Sequence, residues 1–309
     1  MSDGGEARVV LEDVSKWFGD VVAVSEVSLS FEPGVTALLG PNGAGKSTVL
    51  RLIAGLARPS RGRVRVVGSD PARGGAAAGA LGIAPQQEAM FDRYTAVGFV
   101  EVAAVLNGVA GPRRTAEAAV ARAGLDPALD RPIATFSKGM RQRVKLAQAL
   151  VNDPPVVLLD EPLNGLDPAG RGEMIATFVG LADEGRTVIV SSHVLDEVER
   201  MGSRIAVIAR GRVAAEGDYH EVRALLDDRP LRVRIRSDRP AELAAALLGG
   251  GLCLGARLGG DGLVDVETDR PAELRRGVLA CAAGVDALVS EFAPLDDDLE
   301  SVFRYLVAD

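Results

Sequence analysis

The amino-acid sequence predicts the α/β class: a mostly parallel sheet with helices, followed by a second, smaller α+β domain. Three observations carry this. An apolar run, Val35 to Leu39, leads through a glycine-rich loop into a helix with apolar residues Val49, Leu50, Leu52, Ile53 and Leu56. A continuous apolar run, Val156 to Leu159, and the stretch Thr187 to Ser192 (TVIVSS) read as buried strands. Beyond Pro230 the pattern changes, and Leu231 to Ile235 alternates apolar and charged residues as a half-exposed strand does. A length of 309 residues suits about two domains, expected at 1–225 and 231–309.

Composition narrows the class further. Apolar residues make up 47% and charged residues 25%, as in a folded soluble protein. Aromatics are only 4%, so the core rests on Val, Leu, Ala and Ile. The net charge is −8 with Lys and Arg dispersed, which disfavours a nucleic-acid partner. Cys253 and Cys281 lie far apart without a CxxC pattern, which argues against structural zinc and against a disulfide framework. The N-terminal segment MSDGGEARVV has no apolar core, so no signal peptide is expected. No uninterrupted apolar stretch reaches the roughly 18 residues that a membrane span needs. A cytoplasmic location is the expectation.

In chain order, antiparallel strands are expected at Val9 to Leu11 and Val24 to Phe31, ahead of the glycine-loop core. Residues 92–150 form a helical insertion. A parallel-sheet return runs from Val156 to about Val213, closing with a hairpin of Ile205 to Ile208 and Arg212 to Ala215. A short helix at Glu221 to Asp228 and a linker over Asp227 to Pro230 end the first domain. The second should comprise strands at 231–235, 263–268 and 285–292 and helices at 241–248, 272–283 and 299–306. The hexapeptide DRPAEL occurs at Asp238 and again at Asp269, each time opening a helix, so two β-α halves of a ferredoxin-like domain are predicted.

The glycine loop reads Gly40-Pro41-Asn42-Gly43-Ala44-Gly45-Lys46-Ser47-Thr48 between strand and helix. This is GxxxxGK[ST] in its required setting. The glycines let the backbone curl so that successive N–H groups point at phosphate oxygens, and the helix beginning near Lys46 adds its positive end. Lys46 reaches the β- and γ-phosphates as a point charge, and the Ser47 hydroxyl ligates Mg²⁺. The chain is therefore expected to bind a nucleoside triphosphate.

Asp160 and Glu161 end the run Val156 to Leu159, at the carboxyl edge where open α/β sheets bind ligands. Asp160 is placed to hold the Mg²⁺ shell and Glu161 to polarise an attacking water. An exposed acidic turn is the plain alternative, and the glycine loop decides against it. His193 follows the strand Thr187 to Ser192. A lone histidine is more often structural than catalytic, but its place at a strand tip favours a hydrogen bond to the γ-phosphate. Ser137 and Gly139 in FSKGMRQRVKLAQAL, taken alone, are an ordinary helix start with Arg141, Arg143 and Lys145 solvated.

Glycine loop, glutamine, Ser-x-Gly before a helix, Asp-Glu-Pro, a short Asn-Gly-Leu-Asp loop and a histidine stand in one order. In this the sequence resembles the ATP-binding-cassette ATPases over roughly residues 7–220. The resemblance implies that Phe18 stacks on adenine, with Trp17 beside it as the alternative stacker and a hydrophobic plug as the plain reading of both. It implies that the Gln86 amide oxygen contacts Mg²⁺ and that its loop senses a transmembrane partner. Asn164 to Asp167 resembles the loop that crosses a dimer interface, and His193 the switch histidine. Phe136-Ser137-Lys138-Gly139-Met140 falls where the family usually carries LSGGQ. There Ser137, Gly139 and the helix end would bind the γ-phosphate of ATP held by a second subunit. Lys138 and Met140 depart from the pattern and imply a competent, altered site.

The form SKGMRQR and the acidic stretch Asp296 to Phe303 resemble a branch of exporters working with separate polytopic permeases. By that resemblance the chain is the ATP-hydrolysing subunit of a membrane exporter, a homodimer or heterodimer of cassettes on the inner face of the membrane. The segment Phe91 to Leu106 would help receive a permease helix. An importer's ATPase shares all of the ATP chemistry, and a soluble cassette acting on DNA or ribosomes is the more distant alternative.

Overall fold

In the computed structural model of the chain, residues 7–87, 90–201, 204–218 and 231–295 are described. They fall into two compact units, 7–218 and 231–295. The predicted helices at 221–228 and 299–306, the linker and the acidic stretch from Asp296 lie outside the described residues.

The first unit begins with β1 (Val9–Phe18), β2 (Val21–Phe31), β3 (Gly34–Leu39), α1 (Lys46–Ile53) and β4 (Arg61–Val66). It continues with α2 (Ala76–Gly79), β5 (Leu81–Ala84), α3 (Ala96–Leu106), α4 (Pro112–Arg122) and α5 (Lys138–Leu150). It ends with β6 (Val156–Asp160), α6 (Pro168–Asp183), β7 (Thr187–Ser192), α7 (Leu195–Met201), β8 (Arg204–Ala209) and β9 (Arg212–Asp218).

Strands β5-β6-β7-β3-β8-β9 form one sheet in that order. The first five are parallel and β9 closes the edge antiparallel to β8. Leu38, Leu158 and Ile189 are at most 1% exposed, and each such side chain contributes about 1.5–3 kcal/mol by leaving water. That burial on both faces is why these strands are mostly apolar through their middles. A second sheet, β2-β1-β4, is antiparallel. Its first two strands are longer than expected, and β4 and β5 were not foreseen. In β4 the arginines of RGRVRV mask the alternation, because only Val64 and Val66 are buried. Helices α3, α4 and α5 pack together as the helical region.

Register sets the site. Leu39 of β3 pairs with Ser192 of β7, and Asp160 of β6 pairs with Ser191. The three carboxyl ends therefore stand level, and the loops leaving them emerge side by side.

The second unit runs β10 (Leu231–Ser237), α8 (Pro240–Gly249), β11 (Gly255–Leu258), β12 (Leu263–Thr268), α9 (Pro271–Gly284) and β13 (Val289–Pro294). The sheet order is β11-β12-β10-β13, all antiparallel, so the order of elements and strands is ferredoxin-like. Both DRPAEL copies start a helix just after a hydroxyl-bearing strand end. Ser237 Oγ accepts from Arg239 N–H at 3.2 Å and Thr268 Oγ1 from Arg270 N–H at 2.9 Å. Leu243 and Leu274, the last residues of the two copies, are fully buried. Strand β11 was not expected: its four residues, GARL, carry no alternating signal. The last strand starts at Val289 rather than Val285, because Val285 caps the C-terminus of α9.

Candidate functional site

The loop after β3 is shaped by backbone needs. Gly43 and Gly45 have φ of 81° and 112°, in the left-handed region. A Cβ on Gly45 would also stand 2.7 Å from the Ala23 carbonyl of β2, and one on Gly40 would collide with the Ile208 carbonyl. Helix α1 starts at Lys46 with no side-chain cap, so its leading N–H groups face the loop. Lys46 is 5% exposed. Its ammonium donates to the carbonyls of Gly40 at 2.5 Å and Pro41 at 3.2 Å and stands 3.4 Å from Glu161 Oε1. Asn42 and Ala44 lie in the loop ahead of α1, and Thr48 lies within α1.

At the end of β6 the two carboxylates face different groups. Asp160 Oδ1 accepts from Ser47 Oγ at 3.2 Å and from Ser191 Oγ at 2.7 Å. Glu161 is 7% exposed and takes a φ of 49°, which costs a non-glycine residue about 1 kcal/mol or more. Ser191 holds it there, because its Oγ also accepts the Glu161 N–H at 2.8 Å. Glu161 Oε2 lies 2.8 Å from His193 Nδ1. A carboxylate can only accept, so Nδ1 carries the hydrogen and Nε2 is left for another group. One carboxylate thus bridges Lys46 and His193.

Gln86 is exposed and shares a cavity of about 220 Å³ with Ser47, Arg51, Leu56 and Asp160. The predicted metal ligands Ser47, Gln86 and Asp160 therefore line one space. Their donors are a hydroxyl, an amide oxygen and a carboxylate, a set that fits a hard cation such as Mg²⁺. No group of three or more His, Cys, Asp or Glu able to hold a metal occurs among the described residues, so a cation here would draw remaining ligands from phosphate and water.

Ser137, Gly139 and Asp167 form a second group. Ser137 caps α5, its Oγ accepting from Met140 N–H at 3.3 Å. Asp167 caps α6, its Oδ1 accepting from Gly170 N–H at 2.8 Å. The two caps touch through their neighbours: a Cβ on Gly139 would stand 3.2 Å from Leu166, and the Lys138 side chain lies over Gly165. Among the described residues no hydrogen bond or ion pair joins the Ser137 turn to Lys46, Asp160 or Glu161.

Two sequence readings are corrected. Arg141, Arg143 and Lys145 are not solvated. Arg141 reaches Asp92 at 3.1 Å, Arg143 pairs with Glu173, and Lys145, 2% exposed, donates to the Gln86 carbonyl at 3.2 Å. Helix α5 faces inward on that side, where an amphipathic reading expects water. Trp17 and Phe18 are not a plug, being 45% and 51% exposed, with the Lys16 ammonium 4.8 Å from the Phe18 ring centroid. Both rings are about half exposed at the β1–β2 turn.

Sequence reasoning missed Ser191, Ser192, Glu197 and Lys145. The Ser-Ser pair ending an otherwise apolar strand was a usable signal, since consecutive strand residues face opposite sides.

The family model for the ABC transporter matches residues 24–164. The Nod factor export ATP-binding protein I of Sinorhizobium fredii is 38% identical over 229 residues, covering 72% of this chain and 65% of that protein. The protein of the same name from Burkholderia orbicola is 37% identical over 220 residues, covering 69% of this chain and 72% of its own length. The chain belongs to the ATP-binding proteins of ABC transporters. A dimeric ATP-binding cassette solved in a post-hydrolysis state with ADP and Pi shares the fold, with a TM-score of 0.62 and 27% identity over 68% of this chain and 98% of that one. The expected family and fold class are thus borne out for the cassette. Among the described residues no helix is long and apolar enough to cross a membrane.

Proposed function

We propose that this cassette is the ATP-hydrolysing subunit of an exporter, working as a dimer of cassettes beneath a separate polytopic permease at the inner face of the membrane. The observation that carries the catalytic reading is the buried Glu161 carboxylate, held 3.4 Å from Lys46 and 2.8 Å from His193 and next to the Ser47–Asp160 pair. The direction of transport is supported by relatives whose names specify export.

In this reading the loop N–H groups and Lys46 bind the phosphates, while Ser47, Asp160 and Gln86 hold Mg²⁺. When bound, Mg²⁺ supplies charge neutralisation at the β- and γ-phosphate oxygens. Glu161 orients a water and draws its proton. His193 keeps Glu161 in place through Nδ1 and offers Nε2 to the γ-phosphate. Ser137 and Gly139 present the start of α5 to the nucleotide of the other subunit, with Asp167 shaping the loop between them. Phe18 or Trp17 stacks on the adenine. The C-terminal unit serves an accessory role in regulation or dimerisation.

Glu161→Gln keeps the side chain's shape and removes its basicity. ATP binding should persist while turnover falls about 100-fold or more, the range for losing a general base. A fluorescent-nucleotide titration beside a phosphate-release assay measures both, and unchanged turnover would sink the assignment.

A further inference from the structure

Glu197 is a buried carboxylate that the chemistry assigned to the nucleotide site does not employ. It lies on α7 and is 8% exposed. Its Oε2 accepts from Ser192 Oγ at 2.6 Å, a short bond between two groups withdrawn from water. The same Ser192 oxygen accepts the Val194 N–H at 3.0 Å. These two bonds bracket His193 on both sides. The residue before it is tied to α7 and the residue after it is tied back to the residue before. The other Glu197 oxygen, Oε1, stands 3.7 Å from Arg171 Nε. That nitrogen is shielded from solvent and has no hydrogen bond among the described residues. Arg171 sits in the first turn of α6, its N–H donating to the Asp167 carbonyl at 3.0 Å.

A buried carboxylate is costly unless its oxygens are engaged. Here one oxygen is engaged by the histidine turn and the other faces the helix that Asp167 caps. Burial pushes the Glu197 carboxyl up from its ordinary value, and the Ser192 bond and the Arg171 charge oppose that shift. The cost is borne at one place, between two motif segments, where an apolar side chain would fill the same space without linking them.

We infer that Glu197 is a positioning residue for ATP hydrolysis, fixing the His193 turn through Ser192 and tying it to the first turn of α6 through Arg171. This rests on the proposed ATPase function and adds a residue to it. Ser191 and Ser192 then support Glu161 by two different routes. The first holds Asp160 and Glu161, and the second holds the histidine that completes Glu161's contacts.

The test compares Glu197→Ala, Glu197→Gln and Ser192→Ala in the full chain, by steady-state ATPase kinetics and by titration with a fluorescent ATP analogue. Glutamine still accepts from Ser192 but loses the charge facing Arg171, so Glu197→Gln should lower kcat clearly less than Glu197→Ala does. Glu197→Ala and Ser192→Ala should each lower kcat about tenfold or more, as a displaced reactive group does, with the KM for ATP and analogue affinity within about twofold. Ser192→Ala removes one oxygen and serves as the independent arm if Glu197→Ala fails to fold. The inference is overturned by unchanged kcat in Ser192→Ala, by equal loss in Glu197→Gln and Glu197→Ala, or by kcat and affinity falling together. A wild-type chain that neither binds nor hydrolyses ATP would instead overturn the functional reading itself, before any variant is compared.

Discussion

The two units bury their polar groups differently. In residues 7–218 the buried polar and charged side chains include Lys46, Lys145, Glu161, Ser191, Ser192 and Glu197, and most of these converge on the ends of β6 and β7. In residues 231–295 the only buried polar side chains among those described are Ser237 and Thr268, and both are engaged by helix-start N–H groups. Charges of the second unit instead pair on its surface, Arg234 with Asp265 at 2.7 Å and Arg236 with Glu291 at 3.0 Å. Chemistry requires charges withdrawn from water and aimed at each other, whereas charges with no such task stay wet. The buried charges thus gather in the first unit, and among the described residues of the second no such cluster occurs.

The largest break in that contrast comes from Lys46→Ala. It removes an ammonium that the loop carbonyls and Glu161 jointly orient. Nucleotide affinity should fall about 100-fold or more, the loss of roughly 3 kcal/mol expected for a strong charge-assisted contact. The titration used for Glu161→Gln reads it directly. Retained affinity would mean that the buried ammonium is structural, and the contrast between the units would lose its functional content.

Ile235→Ala tests the other side. Ile235 is fully buried between β12 and β13, and its truncation should cost the second unit about 2–5 kcal/mol. If the chemistry is confined to residues 7–218, ATP turnover should survive while a low-temperature melting transition separates from the rest. Calorimetry beside the phosphate-release assay distinguishes this from a coupled loss, which would assign the second unit a part in hydrolysis.

Much of this contrast was legible in the sequence, for physical reasons that also explain the gaps. The loop at 40–48 and the carboxylates at 160–161 combine a residue pattern with a strand or helix boundary, and each alone restricts the backbone strongly. The DRPAEL repeat exposed the symmetry of the second unit because each copy must start a helix and bury its leucine. What stayed hidden depends on tertiary direction. Lys145 lies on a helix whose basic residues look solvent-facing, and only packing against the Gln86 loop turns them inward. Ser191 matters through the neighbour that register gives it, and Glu197 through the turn that brings α7 back onto Ser192, and neither is marked by a residue pattern along the chain. Strand β11 is too short to show a period.

The smallest expected effect concerns the surface pairs. The Arg234 guanidinium hydrogen-bonds Asp265 through two nitrogens, at 2.7 and 2.8 Å, and holds its carboxyl below the ordinary value. A carboxyl whose folded pKa is depressed stabilises the fold fully above its unfolded value and loses that contribution as pH falls through the folded one. Asp265→Asn should therefore lower the melting temperature of the second unit slightly near neutral pH. The gap to wild type should close as pH drops below the ordinary carboxylate range, where both proteins lack the charge. Solvent exposure and salt screening keep the effect small, and added salt should shrink it further. A gap that stays constant through acid pH would show that Asp265 acts by packing, and that charge is no freer in the second unit than in the first.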